Sequence, residues 1–214
     1  MAESYIVYGT RGSGSVPIEA ALHLAGLPYR LVQPDPTESP DSGDIRAAEM
    51  DRINPMGQVP AVVLPGGELM TESAAILIHI ADSHPAARLS PPLGDPRRPA
   101  FLRWMAFVAS QIYGLVWVRD DPSRLAVDKA HEAVIMERTA ERRQFCWRVM
   151  DAQVTPGHYL LGDDLTVLDL YVTVISTWGP GRARFRDAAP GLAEVVVRVD
   201  ADPRLRTLWA ERLG

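Results

Sequence analysis

This sequence has very little cysteine and lysine. Cys146 is the single cysteine in 214 residues, so no internal disulfide can form and a reducing, cytoplasmic setting is expected. Lys129 is the single lysine against 21 arginines, a bias of the kind a GC-rich bacterial genome produces. No run of 18 apolar residues occurs, which predicts no transmembrane helix and no membrane partner. Met-Ala-Glu-Ser leads straight into a strand pattern, without the apolar core of a signal peptide. A net charge of −5 with no clustered basic face argues against nucleic acid as a partner. The five histidines (His23, His79, His84, His131 and His158) lack ligand spacing, so no metal is expected. No Gly-x-Ser-x-Gly turn offers a hydrolase nucleophile.

The chain is 47% hydrophobic and 23% charged, the balance of an ordinary globular protein with an ample core. Charge is uneven: residues 1–87 balance to −7 and residues 88–214 to +2, which points to two domains. Pro85, Pro91, Pro92 and Pro96 with Gly94 make 85–96 a linker between residues 1–84 and 97–214.

Before the linker, strand and helix patterns alternate. Tyr5–Tyr8 and Tyr29–Val32 are short apolar strands flanking a helix over Val16–Ala25, which Gly26 stops. That βαβ order implies two parallel strands. Pro34–Gly43 is a loop, and Asp44 caps a short helix through Arg52. A buried strand over Pro60–Leu64, the Pro65-Gly66-Gly67 turn and a returning strand at Glu68–Met70 form a hairpin. Ser73 caps a helix that His84-Pro85 ends.

After the linker everything reads helical: Arg97–Val118, Ser123–Ala152, Thr166–Thr177, Pro190–Val199 and Pro203–Arg212, with Gly179–Phe185 a loop. Thr166 and Asp169 form a capping box at the head of a helix that is apolar nearly all round, which places it at the bundle centre. Cys146 reads as inert packing inside an amphipathic helix, and His79 as a core histidine.

Two stretches carry candidate chemistry. Backbone at Gln58-Val59, just before the strand, suits pairing with an extended peptide, and the helix start at Glu72-Ser73 suits a carboxylate. A plain hairpin with a capped helix is the competing reading. The loop Gly9-Thr-Arg-Gly-Ser-Gly-Ser15 fits neither a dinucleotide fingerprint nor a phosphate loop. Its hydroxyls at a helix N-terminus would favour a bound thiolate, while Ser15 as a simple helix cap explains the same residues. Tyr8 is a further hydroxyl at a strand end. Trp104, Tyr113 and Trp117 are candidates for an apolar substrate pocket.

These residues together resemble the cytosolic glutathione transferases. Asn54-Pro-Met-Gly-Gln-Val-Pro60 is similar to that family's segment before its third strand, where the proline is cis. Glu72-Ser73 resembles its acidic-plus-serine pair, Leu161-Gly-Asp-Asp-Leu-Thr-Val-Leu-Asp169 its buried capping box, and Arg103-Trp-Met-Ala-Phe-Val-Ala its first bundle helix. The resemblance implies α/β plus all-α architecture: a thioredoxin-like βαβαββα domain with a mixed four-stranded sheet, then a helical bundle. It implies glutathione as co-substrate, held by Gln58, Val59 and Pro60 at its cysteinyl part and by Glu72 and Ser73 at its γ-glutamyl end. It implies transfer to a small hydrophobic electrophile, a detoxification role and a homodimer. A glutathione-dependent lyase or isomerase, a thiol reductase and a non-catalytic binder are the alternatives. Some bacterial members carry Cys where this chain has Gly14, and often His-Lys where it has Tyr113-Gly114. Thiol activation therefore falls to Ser13 first, then Ser15, then Tyr8.

Overall fold

The computed structural model describes residues 4–33, 50, 52–179 and 181–213. The chain divides into two compact units, Met1–Leu89 together with Asp202–Gly214, and Ser90–Ala201. The expected boundary put all of 97–214 in the helical part. The segment from Asp202 onward belongs instead with the first unit, because its apolar side chains Leu205, Leu208 and Trp209 are buried there.

In the first unit, β1 (Tyr5–Tyr8), α1 (Val16–Leu24), β2 (Tyr29–Val32), β3 (Ala61–Val63), β4 (Leu69–Met70) and α2 (Ser73–Ser83) follow in chain order. The sheet runs β2-β1-β3-β4. β1 and β2 are parallel with Tyr5 opposite Tyr29, and α1 supplies the crossover that parallel neighbours require. β3 lies antiparallel to β1 and β4 antiparallel to β3. α1 packs against α2, with Ile18, Leu22, Ile76, Leu77 and Ile80 fully buried. This is the thioredoxin-like layer. The Pro34–Gly43 loop and most of the helix expected from Asp44 lie outside the described residues. A last helix, Arg206–Arg212, completes this unit.

The second unit is helical: α3 (Arg98–Phe107), a π-helical turn (Val108–Tyr113), α4 (Gly114–Asp120), α5 (Lys129–Gln153), α6 (Val167–Ile175), α7 (Gly181–Ala188) and α8 (Pro190–Asp200). The run Arg98–Asp120 is long and apolar enough to cross a membrane by length and composition alone, with a mean hydropathy of 1.3. Its Phe101, Trp104, Met105, Val108, Ile112 and Val116 are buried within the protein, so that hydropathy belongs to a core helix. Every residue of α6 is buried. Asp169 closes the capping box, accepting from the Thr166 N–H (2.8 Å), the Thr166 hydroxyl (2.7 Å) and the Leu160 N–H (2.8 Å). α5 starts later than expected, because Pro122–Arg124 forms a separate 3-10 turn and Asp128 caps the helix at the His131 N–H (2.8 Å).

Two local expectations fail. Residues 181–185 were expected in a loop, yet Gly181–Ala188 is α7: Phe185 and Ala188 are buried on one face and arginines line the other. Ser73 was expected to cap α2, but Glu72 occupies the cap position and Ser73 is the first helical residue.

Candidate functional site

The serine loop is fixed by its ends. A methyl group on Gly9 would fall inside the Ser15 side chain, so glycine there lets the loop fold back onto the start of α1. Ser13 Oγ accepts from the Thr10 and Ser15 N–H groups (both 3.2 Å) and lies 3.0 Å from Ser15 Oγ. Ser15 stands at the cap position of α1 but its side chain makes no cap bond. It donates instead to Glu19 Oε1 at 2.8 Å.

Glu19, 1% exposed, is held from the far end of the chain. Arg212 Nε lies 2.8 Å from Glu19 Oε2, and its terminal nitrogen donates to Oε1 at 3.0 Å. The other terminal nitrogen donates to Gln33 Oε1 at 2.7 Å. The Arg212 carbonyl in turn accepts from the Gly12 N–H at 2.8 Å, with Gly12 at φ +65°. A continuous relay results: Arg212, Glu19, Ser15, Ser13. Ser15 has one proton and the carboxylate is its strongest acceptor. The Ser13 proton is then left to point at Ser15 or at a ligand.

Burial separates the three candidate hydroxyls. Ser15 is fully buried and Tyr8 is 6% exposed, whereas Ser13 is half-buried. Ser15 is turned inward onto Glu19, and Tyr8 is packed at the end of β1.

The other half of the site comes from the hairpin. The Asn54 amide donates to the Gln58 carbonyl (2.7 Å) and its oxygen accepts from the Met56 N–H (3.1 Å), which shapes the turn before β3. The Val59–Pro60 bond is cis. Gln58 is exposed, Val59 half-buried and Pro60 buried. Glu72, exposed, adopts φ 65° and ψ 99°, a conformation costing a non-glycine residue about 1–3 kcal/mol. Its carbonyl opens α2 by accepting from the Ile76 N–H at 3.0 Å. The register explains why these pieces belong together. Tyr8 pairs with Ala61 and Val62 with Met70, so the serine loop, Pro60 and Thr71–Ser73 all emerge at one end of the sheet. First-turn N–H groups of α2 carry no intrahelical partner, and the helix dipole favours an anion there.

The pocket candidates lie in the helical unit. Trp104 is 2% exposed, packed edge-on against Phe107 (5.3 Å) beneath Arg103 (4.2 Å), and so belongs to the core. Tyr113 is half-buried against Trp178 (4.6 Å) and Tyr171 (6.3 Å). Trp117 is 40% exposed under the Arg124 guanidinium (4.8 Å). Cys146 is buried, which pushes its thiol pKa up. His79 is half-exposed, its ring 3.5 Å from Ser83 Oγ, rather than a core residue. Among the described residues no three His, Cys, Asp or Glu side chains gather as metal ligands would.

Sequence reasoning missed Glu19 and Arg212. Glu19 left a faint signal, an acid four residues after Ser15 on an otherwise apolar helix. Arg212 left none.

Known proteins resolve what this arrangement is. Residues 15–83 match the model for the glutathione S-transferase N-terminal domain, a stretch that includes both Ser15 and the Glu72-Ser73 pair. The uncharacterized GST-like protein YncG of Escherichia coli K12 is 32% identical over 200 residues, 94% of each chain. Maleylacetoacetate isomerase of Mus musculus is 26% identical over 172 residues, 75% of this chain and 70% of that one. Among solved structures, a glutathione transferase homolog from Sulfitobacter with bound glutathione superposes with a TM-score of 0.81 at 26% identity, covering 98% of both chains. Sequence likeness over nearly the full length and a shared fold agree: the chain belongs to the glutathione S-transferase family.

Proposed function

We propose that the protein binds glutathione at the sheet end described above and activates its thiol through Ser13. The Val59 backbone beside Pro60 pairs with the cysteinyl part, with Gln58 adjacent, while Glu72 and Ser73 hold the γ-glutamyl end. Ser13 donates a hydrogen bond to the sulfur, and the N-terminus of α1 favours its negative charge. The thiolate then attacks an electrophilic carbon of a small hydrophobic molecule, forming the C–S bond as the leaving group departs. Tyr113 and Trp117 are the proposed pocket residues. A cytoplasmic homodimer in a detoxification role fits this reading. The observation that supports it is the half-buried Ser13 at the outer end of a relay that runs through Ser15 to the buried Glu19–Arg212 pair.

A second reading is favoured by the likeness to maleylacetoacetate isomerase. There the glutathione thiolate would add to an unsaturated substrate and leave again, and glutathione would be recovered unchanged. A dithiol reductase is disfavoured because positions 12–15 hold no cysteine.

Calorimetry with glutathione and conjugation of an aromatic halide test the proposal. Ser13→Ala should keep glutathione binding and lose about 10- to 100-fold in turnover, the worth of one hydrogen bond to a charged group. Wild-type turnover in that variant would remove Ser13 from the mechanism. Binding with no conjugation, but with turnover of an unsaturated acid at constant glutathione, selects the isomerase reading.

A further inference from the structure

The helical unit buries a cation that glutathione chemistry does not use. Arg143 lies midway along α5 and is 5% exposed. One terminal nitrogen donates to the Trp178 carbonyl at 3.2 Å, and its Nε has no hydrogen-bond partner among the described residues. Nor is it ion-paired there. Burial and the neighbouring Arg119 guanidinium lower its pKa to about 10. The two arginines converge over Gly179, where an added methyl group would sit 2.5 Å from an Arg143 terminal nitrogen and 2.6 Å from an Arg119 one. Gly179 has φ +74°, so the chain is kept bare at that point.

Next to this pair is an open cleft of about 530 Å³ within the helical unit, bordered by Arg119, Arg143, Arg184, Asp120, Met136 and Ala140. That volume suits a small molecule. Asp120, its one acidic side chain, is already bound by Arg119 at 2.6 Å. Three guanidiniums against one carboxylate leave the cleft positive. Asp120 offsets the Arg143 charge only in part, and an oxyanion is the group whose two oxygens match the paired donors of a buried guanidinium.

We propose that Arg143, Arg119 and Arg184 form a binding site for a small molecule bearing an oxyanion, a carboxylate or a phosphate, with its apolar part against Met136 and Ala140. None of its residues is among those assigned to glutathione, which belong to the other unit.

The test uses the full-length protein titrated calorimetrically with inorganic phosphate and with octanoate, at constant ionic strength set by sodium chloride. Saturable binding of either probe is expected. It should weaken at least tenfold in Arg119→Gln and disappear in Arg143→Met, with glutathione affinity unchanged in both. Octanoate alone would mark an amphiphilic carboxylate as the ligand class, and phosphate alone a phosphate. Arg119→Gln alters a side chain at the cleft rim and tests the site even where Arg143→Met disturbs folding. Saturation by neither probe, or equal binding by wild type and Arg119→Gln, overturns the proposal.

Discussion

The two units bury charge in opposite ways. The sheet unit buries Glu19 and Arg212 as a pair, 2.8 Å apart, and uses the pair to tie the chain end to the serine loop. The helical unit buries Asp169 and Arg143 separately, and among the described residues neither has an ion-pair partner. Asp169 is satisfied by N–H and O–H dipoles alone, whereas Arg143 keeps an unbonded Nε. Desolvating an ion costs several kcal/mol, and an opposite charge in good geometry offsets most of that. Where the partner is present, the charges act as structure. Where it is absent, they become sensitive to whatever solvent or solute supplies.

The largest effect should come from splitting the pair. Arg212→Met should cost about 3–5 kcal/mol in urea unfolding, since it strands a buried carboxylate. The double variant Glu19→Gln with Arg212→Met should be less destabilised than the sum of the singles. Additive losses would show that the two charges do not act as a pair.

Asp169 comes next. Burial raises its pKa to about 6, despite hydrogen bonds from Leu160, Thr166 and its own backbone that favour the charged form. The folded state therefore holds this proton more tightly than the unfolded chain, whose value is near 3.9. The resulting stabilisation is complete below about pH 4 and is lost as pH rises towards 6, amounting to at most ~3 kcal/mol. The stability advantage of wild type over Asp169→Asn should shrink across that window and level off above it. A difference flat in pH would mean Asp169 does not change its proton affinity on folding.

The smallest effect should have the opposite sign. In anion-free buffer Arg143→Met should raise stability by about 1 kcal/mol, because it removes a buried guanidinium whose Nε lacks a partner. A loss as large as that of Arg212→Met would show the two arginines to be equivalent supports.

Local chemistry was legible in the sequence. Turn glycines and prolines placed the hairpin, and the Thr166–Asp169 spacing placed the capping box. The motif at Asn54–Pro60 carried the cis bond through family likeness. Long-range pairing was not legible. Glu19 and Arg212 are separated by most of the chain, and nothing near either names the other. The same gap hid the return of Asp202–Gly214 to the first unit. Gly179 and Gly181, flanking Pro180, disguised α7 as a loop, although its buried Phe185 and Ala188 decide its conformation. Ser15 reads as a cap by type and does occupy the cap position, but a carboxylate one turn on takes its hydroxyl in place of the helix backbone.

The π-helical turn at Val108–Tyr113 bears on how this protein tolerates changes of length. A π turn takes up one surplus residue while the flanking α-helical segments keep their phase. Excising one residue inside 108–113 should therefore leave Trp117 and Arg119 facing as they do now. The same excision between 115 and 118 has no slack to draw on, and would turn Arg119 by about 100° away from Arg143. Two deletions a few positions apart thus leave chains of equal length and nearly equal composition. One keeps the arginine cluster and the other disperses it.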